Sequence, residues 1–126
     1  MDYILCYKVI PLPSDTNFNG DIFGGWLLSQ MDLAGISLCN QHEFGRFVTV
    51  TVNDIIFKNP VKIGNIIEIY GKIIDLGNTS ITTKLKVNST NIEDGNINQI
   101  TEGVFKYVKI DKNGKPTKIN KKIDFL

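Results

Sequence analysis

A chain of 126 residues with a formal net charge of +1 and 21% charged residues has room for one hydrophobic core and not for two, so a single domain over residues 1–126 is expected. The near balance of charge excludes a nucleic-acid footprint. Lysines are scattered and gather only in the tail, Lys115 to Lys122, where they solvate the chain end. No segment approaches the roughly 20 apolar residues that span a bilayer, which excludes a membrane span.

The N-terminal stretch MDYILCYKVIPLP has an acid at position 2, a lysine at position 8 and no apolar run of signal length. Its alternation over residues 3–9 predicts a short strand. Pro, Ser, Asp, Asn and Gly then crowd the segment Pro11 to Asp21, a turn-rich loop. From Phe23 to His42 the pattern is helical, with an apolar face too wide for a surface helix, and Gly45 is expected to stop it. Four strand-like runs follow. Phe47 to Phe57 alternates Val48, Val50 and Val52 against Thr49, Thr51 and Asn53. Asn65 to Leu76 is rich in Ile, Ser80 to Ser89 alternates, and Gln99 to Ile110 carries Val104, Phe105, Tyr107 and Val108.

Short turn signals separate these runs, at Asn59-Pro60 to Gly64-Asn65, at Gly77-Asn78 and at Glu93 to Asn96. They predict mostly antiparallel neighbours. The expected class is α+β: a five-stranded antiparallel sheet wrapped around a long central helix, whose apolar girth the sheet would cover on most sides. Cys6 and Cys39 stand in apolar contexts without metal or redox spacing. They read as reduced core residues, which points to the cytoplasm.

The helix carries one carboxylate, Asp32. Its neighbours three and four residues away are Leu28, Ser29, Gly35 and Ile36, which puts it on a largely apolar stripe. An unpaired carboxylate there costs several kcal/mol of desolvation, on the order known for buried charges. Either it tilts to solvent or pairs with a lysine of the sheet, or it is a tuned acid or base in a cleft. Gly24 and Gly25 open the same helix, where the first N–H groups have no internal partner and bare backbone admits close approach. Such an end suits a developing negative charge, although a Gly-Gly pair also serves as a plain tight junction.

Distance constrains the combination. Seven or eight residues at about 1.5 Å rise put roughly 10–12 Å between the glycines and Asp32. Oxyanion donors and a base acting on one carbonyl must each stand near 3 Å from the reacting atoms. If both act, two copies of the helix face one another and the site is shared.

The run Asp15-Thr16-Asn17-Phe18-Asn19-Gly20-Asp21-Ile22-Phe23-Gly24-Gly25-Trp26, continuing through Ser29-Gln30-Met31-Asp32, resembles the signature of the hotdog-fold acyl-coenzyme A thioesterases, nearest to their YciA-like branch. The likeness continues through Gly45 to Val50, Pro60-Val61 to Gly64, Gly77 to Ser80, and Thr101-Glu102 to Pro116. The resemblance implies a hotdog fold, an obligate dimer with a continuous sheet, and a trimer of dimers. It implies hydrolysis of short- to medium-chain acyl-CoA to free acid and CoA, with no cofactor beyond the CoA of substrate and product. It makes Asp32 the catalytic acid, as general base or nucleophile, Asn17 a group that places water or substrate in the partner's site, and Gly24 and Gly25 the oxyanion donors. Arg46 and Lys58 become candidates for the CoA phosphates, and Thr79 and Ser80 for substrate contact. The chain departs from the family pattern at Asn59, where a basic residue is usual before the proline, and at Asn65, where Asp usually follows the glycine.

A thioester has a good leaving group, so an activated water or carboxylate nucleophile and a stabilised oxyanion suffice. No metal is expected, because the single histidine, His42, sits at the helix end in a capping or solvent-facing place. The rival enzyme on this fold, a hydratase or dehydratase, needs a histidine beside an acid, and His42 is too far along to fit. A non-catalytic acyl-CoA-binding domain has no use for Asp32 and needs an output module for which no residues remain. A structural oligomer with a vestigial cleft is the weakest alternative.

Overall fold

The computed structural model describes residues 2–120; Lys121 and Lys122 of the basic tail lie outside them. The elements run β1 (Ile4–Val9), a short 3-10 turn (Pro13–Asp15), α1 (Gly24–His42), β2 (Arg46–Phe57), β3 (Ile66–Leu76), β4 (Ser80–Thr90) and β5 (Ile97–Ile110). All five strands form one antiparallel sheet in the order β1-β3-β4-β5-β2, and α1 packs against every strand of it. This is the expected class and the expected set of elements, each boundary lying within a few residues of the sequence pattern.

The order of the strands differs from the sequence expectation in one place. The segment from Asn59 to Asn65 is a crossover and not a hairpin, so β2 and β3 lie on opposite sides of the sheet. Pro60 lacks the N–H that a ladder requires. The crossover instead runs beneath the start of α1, where Val61 is buried and its carbonyl accepts the Ile22 N–H at 3.0 Å. β2 is thereby left as an edge strand of 12 residues.

The helix is also less enclosed than its composition suggests. Leu27, Met31, Ala34, Gly35, Leu38, Cys39 and His42 are buried, one stripe at helical spacing, whereas Leu33 on the opposite flank is 52% exposed. Five strands cover one face of a helix, and the far flank stays bare. The helix ends at His42, with the Glu43 N–H donating to the Cys39 carbonyl, before Gly45 is reached. His42 is buried and not solvent-facing. Within the core, Ile67, Ile69, Ile81, Leu85, Val87, Phe105 and Tyr107 face the helix from the three central strands. Cys39 belongs to that core and Cys6 packs against it; both are free thiols.

Candidate active site

The loop before the helix is held by Asn17. Its side-chain carbonyl accepts the N–H groups of Asn19 at 2.9 Å and Asp21 at 3.2 Å, and its own N–H donates to the Asp21 carbonyl at 2.7 Å. An Asx turn of this kind spends the oxygen of the amide and leaves its NH2 group to point elsewhere. Phe18, at the tip, is wholly exposed.

The helix begins without a side-chain cap. Phe23 is the N-cap and gives its carbonyl to Trp26 and Leu27. Among the described residues the N–H groups of Gly24 and Gly25 have no acceptor, and they mark the positive end of a 19-residue helix. The two glycines differ in surroundings. A Cβ at Gly24 would stand 3.1 Å from the Phe57 ring, which packs across the helix end. A Cβ at Gly25 would find its nearest neighbour, Phe23, at an ordinary 3.5 Å. A side chain at Gly24 would therefore have to displace the Phe57 ring by a few tenths of an ångström, whereas nothing within the described residues forbids a side chain at Gly25.

Beside this helix end lies a cavity of about 370 Å³. Ile22, Leu27 and Val61 give it an apolar wall, and Asn17, Gly24, Phe57 and Lys58 line it as well. Lys58 is tied back to β5, its ammonium donating to Gln99 at 3.1 Å and standing 3.5 Å from the Glu102 carboxylate.

Asp32 lies two turns further along α1, half-buried, and outside that cavity. Its carboxylate pairs with no lysine of the sheet; it accepts the Thr49 hydroxyl of β2 at 2.5 Å. Its main-chain carbonyl accepts the Tyr107 hydroxyl of β5 at 3.1 Å. Thr49 and Tyr107 are direct partners in the β2–β5 ladder, so two adjacent side chains of the sheet grip one residue of the helix. Burial, and after it the neighbouring Asp32 charge, push the Tyr107 phenol far above its ordinary pKa, so it remains a neutral donor.

The sequence-derived candidates thus fall into three groups. Asn17, Gly24, Gly25 and Lys58 gather at the start of the helix. Asp32 stands apart from them by the eight residues and roughly 12 Å of helix that separate it from Gly24. Arg46, Thr79 and Ser80 lie at the other end of the sheet: Arg46 pairs with Ile110 and Ser80 with Val108, while Thr79 accepts the Lys109 N–H. The length of β2, at about 3.3 Å per residue, puts Arg46 and Lys58 too far apart for one chain to hold one CoA head with both.

Thr49 and Tyr107 were not singled out from the sequence. Thr49 sits in the polar half of the β2 alternation, which reads as a solvent face. The structure turns it toward the helix and leaves Val48, Val50 and Val52 exposed at 40–47%. The signal was the threonine phase of an apolar strand, which has to meet whatever polar group the helix presents. Among the described residues no group of three or more His, Cys, Asp or Glu side chains is placed to hold a metal ion.

Residues 19–95 match the thioesterase superfamily model. The acyl-CoA thioester hydrolase YciA of Escherichia coli is 41% identical over 115 residues, 89% of this chain and 87% of that protein. The hexameric thioesterase of Yersinia pestis superposes with a TM-score of 0.90 at 38% identity, over 95% of this chain and 98% of that one. The hexameric hotdog-fold thioesterase of Campylobacter jejuni gives 0.88 at 37% identity, over 92% and 90%.

Proposed function

The chain belongs to the thioesterase superfamily and has the hotdog fold, and from that premise we propose that it is an acyl-CoA thioester hydrolase, cleaving short- to medium-chain substrates to free acid and CoA. The observation that carries this reading is the pairing of a half-buried carboxylate, held ready by Thr49, with a helix end whose first two amides lack acceptors. The apolar wall of the adjoining cavity suits an acyl chain, and the reading calls for no cofactor beyond the CoA that substrate and product carry.

In this reaction the thioester carbonyl lies against the amides of Gly24 and Gly25. Asp32 takes a proton from water while the oxygen adds to the carbonyl carbon, or its own oxygen adds first and water then opens the anhydride. Either way a tetrahedral oxyanion forms against the helix end and collapses by expelling the CoA thiolate, which takes up a proton. Asn17 offers its free NH2 group to the water or substrate.

One helix presents these groups roughly 12 Å apart, so the working unit is a dimer in which each site combines the helix end of one chain with Asp32 of the other. Support for that unit comes from the edge of the sheet. Twelve residues of β2 with exposed Val48, Val50 and Val52 make an edge that a monomer would leave open to pairing, and Leu33 and Phe18 are further exposed apolar side chains. Pairing β2 with a second β2 would continue the sheet. If centred on the middle of the strand, it would bring Arg46 of one copy toward Lys58 of the other, reuniting the two cations proposed for the CoA phosphates. Three such dimers give the hexamer named for the Yersinia and Campylobacter relatives. Two free thiols suit work in the reducing cytoplasm, and among the described residues no helix is long and apolar enough to cross a membrane.

The test is thiol release from a panel of acyl-CoAs of increasing chain length. Turnover of butyryl- to decanoyl-CoA without added metal is the expected result. Tight binding of acyl-CoA with no thiol released would favour a binding domain instead.

A further inference from the structure

We propose that Tyr107 is a positioning residue for the reaction, holding Asp32 at working height above the sheet through its hydroxyl and the side-chain-free face of Gly35. This rests on the reading of Asp32 as the catalytic carboxylate. The geometry is specific. Tyr107 is fully buried on β5 and its hydroxyl donates to the Asp32 carbonyl at 3.1 Å. Its cross-strand partner Thr49 donates to the carboxylate of the same residue at 2.5 Å. Main chain and side chain of Asp32 are thus both referenced to one rung of the sheet.

The fold by itself does not call for this hydroxyl. A carbonyl inside a helix already accepts the N–H four residues on, here that of Ile36, and has a second lone pair to spare. Phenylalanine at position 107 would fill the same space and leave no buried group of Asp32 unpaired. The helix meanwhile gives up a side chain to the tip of this ring: a Cβ at Gly35 would stand 1.9 Å from the Tyr107 oxygen, 2.5 Å from the ring carbon bearing it and 2.7 Å from the next ring carbon, so ring and hydroxyl together occupy the place of that side chain. Glycine within a helix is costly relative to alanine, and the space it leaves is filled by the phenol tip. The apolar packing beneath α1 is non-directional and tolerates small slides and rolls. Two hydrogen bonds from one rung remove that freedom at the residue where a displacement of about 1 Å can cost a hundredfold in rate.

Tyr107→Phe should lower kcat about tenfold, with KM within twofold of the parent and with assembly and far-ultraviolet spectrum unchanged. In the Asp32→Asn background the same substitution should have no further effect, because there is no carboxylate left to place. Gly35→Ala, which must push the phenol aside, should reproduce the loss in kcat at unchanged KM. Parent-like kcat in Tyr107→Phe, whatever its melting temperature, would reduce the hydroxyl to a satisfied core group and overturn the proposal. An equal tenfold loss in both backgrounds would also overturn it, by showing that Tyr107 acts elsewhere. If Asp32→Asn alone keeps parent activity, the catalytic reading of Asp32 falls and the proposal with it, an outcome distinct from failure of Tyr107 alone.

Discussion

The shared site can be tested by mixing two inactive proteins. Asp32 and Gly24 are eight residues apart on one helix, roughly 12 Å at 1.5 Å per residue, whereas in the proposed reaction both must come within about 3 Å of one carbonyl. Asn17 is held by its Asx turn on the glycine side of that gap and lines the cavity with Gly24. In the proposed dimer each site would therefore take Asn17 and the glycines from one chain and Asp32 from the other. Asn17→Ala removes one half of every site, and Asp32→Asn removes the other. A mixed dimer then holds one site with both defects and one with neither. After random exchange of equal amounts, half the dimers are mixed and each has one native site of two. The mixture should thus recover about a quarter of parent activity by counting over the two-fold axis. Thiol release before and after subunit exchange, with exchange followed by mass-tagged chains, reads this directly. If the chains exchange and no activity returns, each site is built within one chain and the helix-length reasoning is refuted.

Other consequences are as direct. Asp32→Asn alone should keep fold and assembly, since the amide still accepts from Thr49, yet lower kcat at least about a hundredfold, as loss of acid–base help does. Gly25→Ala has room within the chain, with 3.5 Å to Phe23, so it should melt with the parent while losing activity; full activity would remove Gly25 from the oxyanion site. The KM for acyl-CoA should rise with salt while that for the same acyl group on a short uncharged thiol barely moves, because only the former presents phosphates to cations such as Arg46 and Lys58. Burial pushes the Cys39 thiol up to about 12 from 9.0, so the folded chain resists ionisation that the unfolded chain undergoes. That contribution to stability is complete below pH 9 and drains away as pH rises toward 12. Cys39→Ala, by denaturant melts over that range, should flatten the decline.

Periodicity was sufficient for the helix and every strand, because residues buried on one face must recur at 3.6 or 2 and turns need Gly, Pro and Asn where they fall. It was also sufficient to set Asp32 and the helix-end glycines at opposite ends of a measurable length of helix, since rise per residue does not depend on the rest of the fold. Strand order lay beyond it. Pro60 and Gly64 look like a hairpin signal whether the chain turns back or crosses over, and only the burial of Val61 beneath the helix decides between them. The same holds for Thr49 and Tyr107, residues 58 apart in sequence that become one rung when β2 docks on β5. Local pattern records which side of a strand a residue takes and not what stands opposite, so the grip on Asp32 exists only once the sheet has closed around its order.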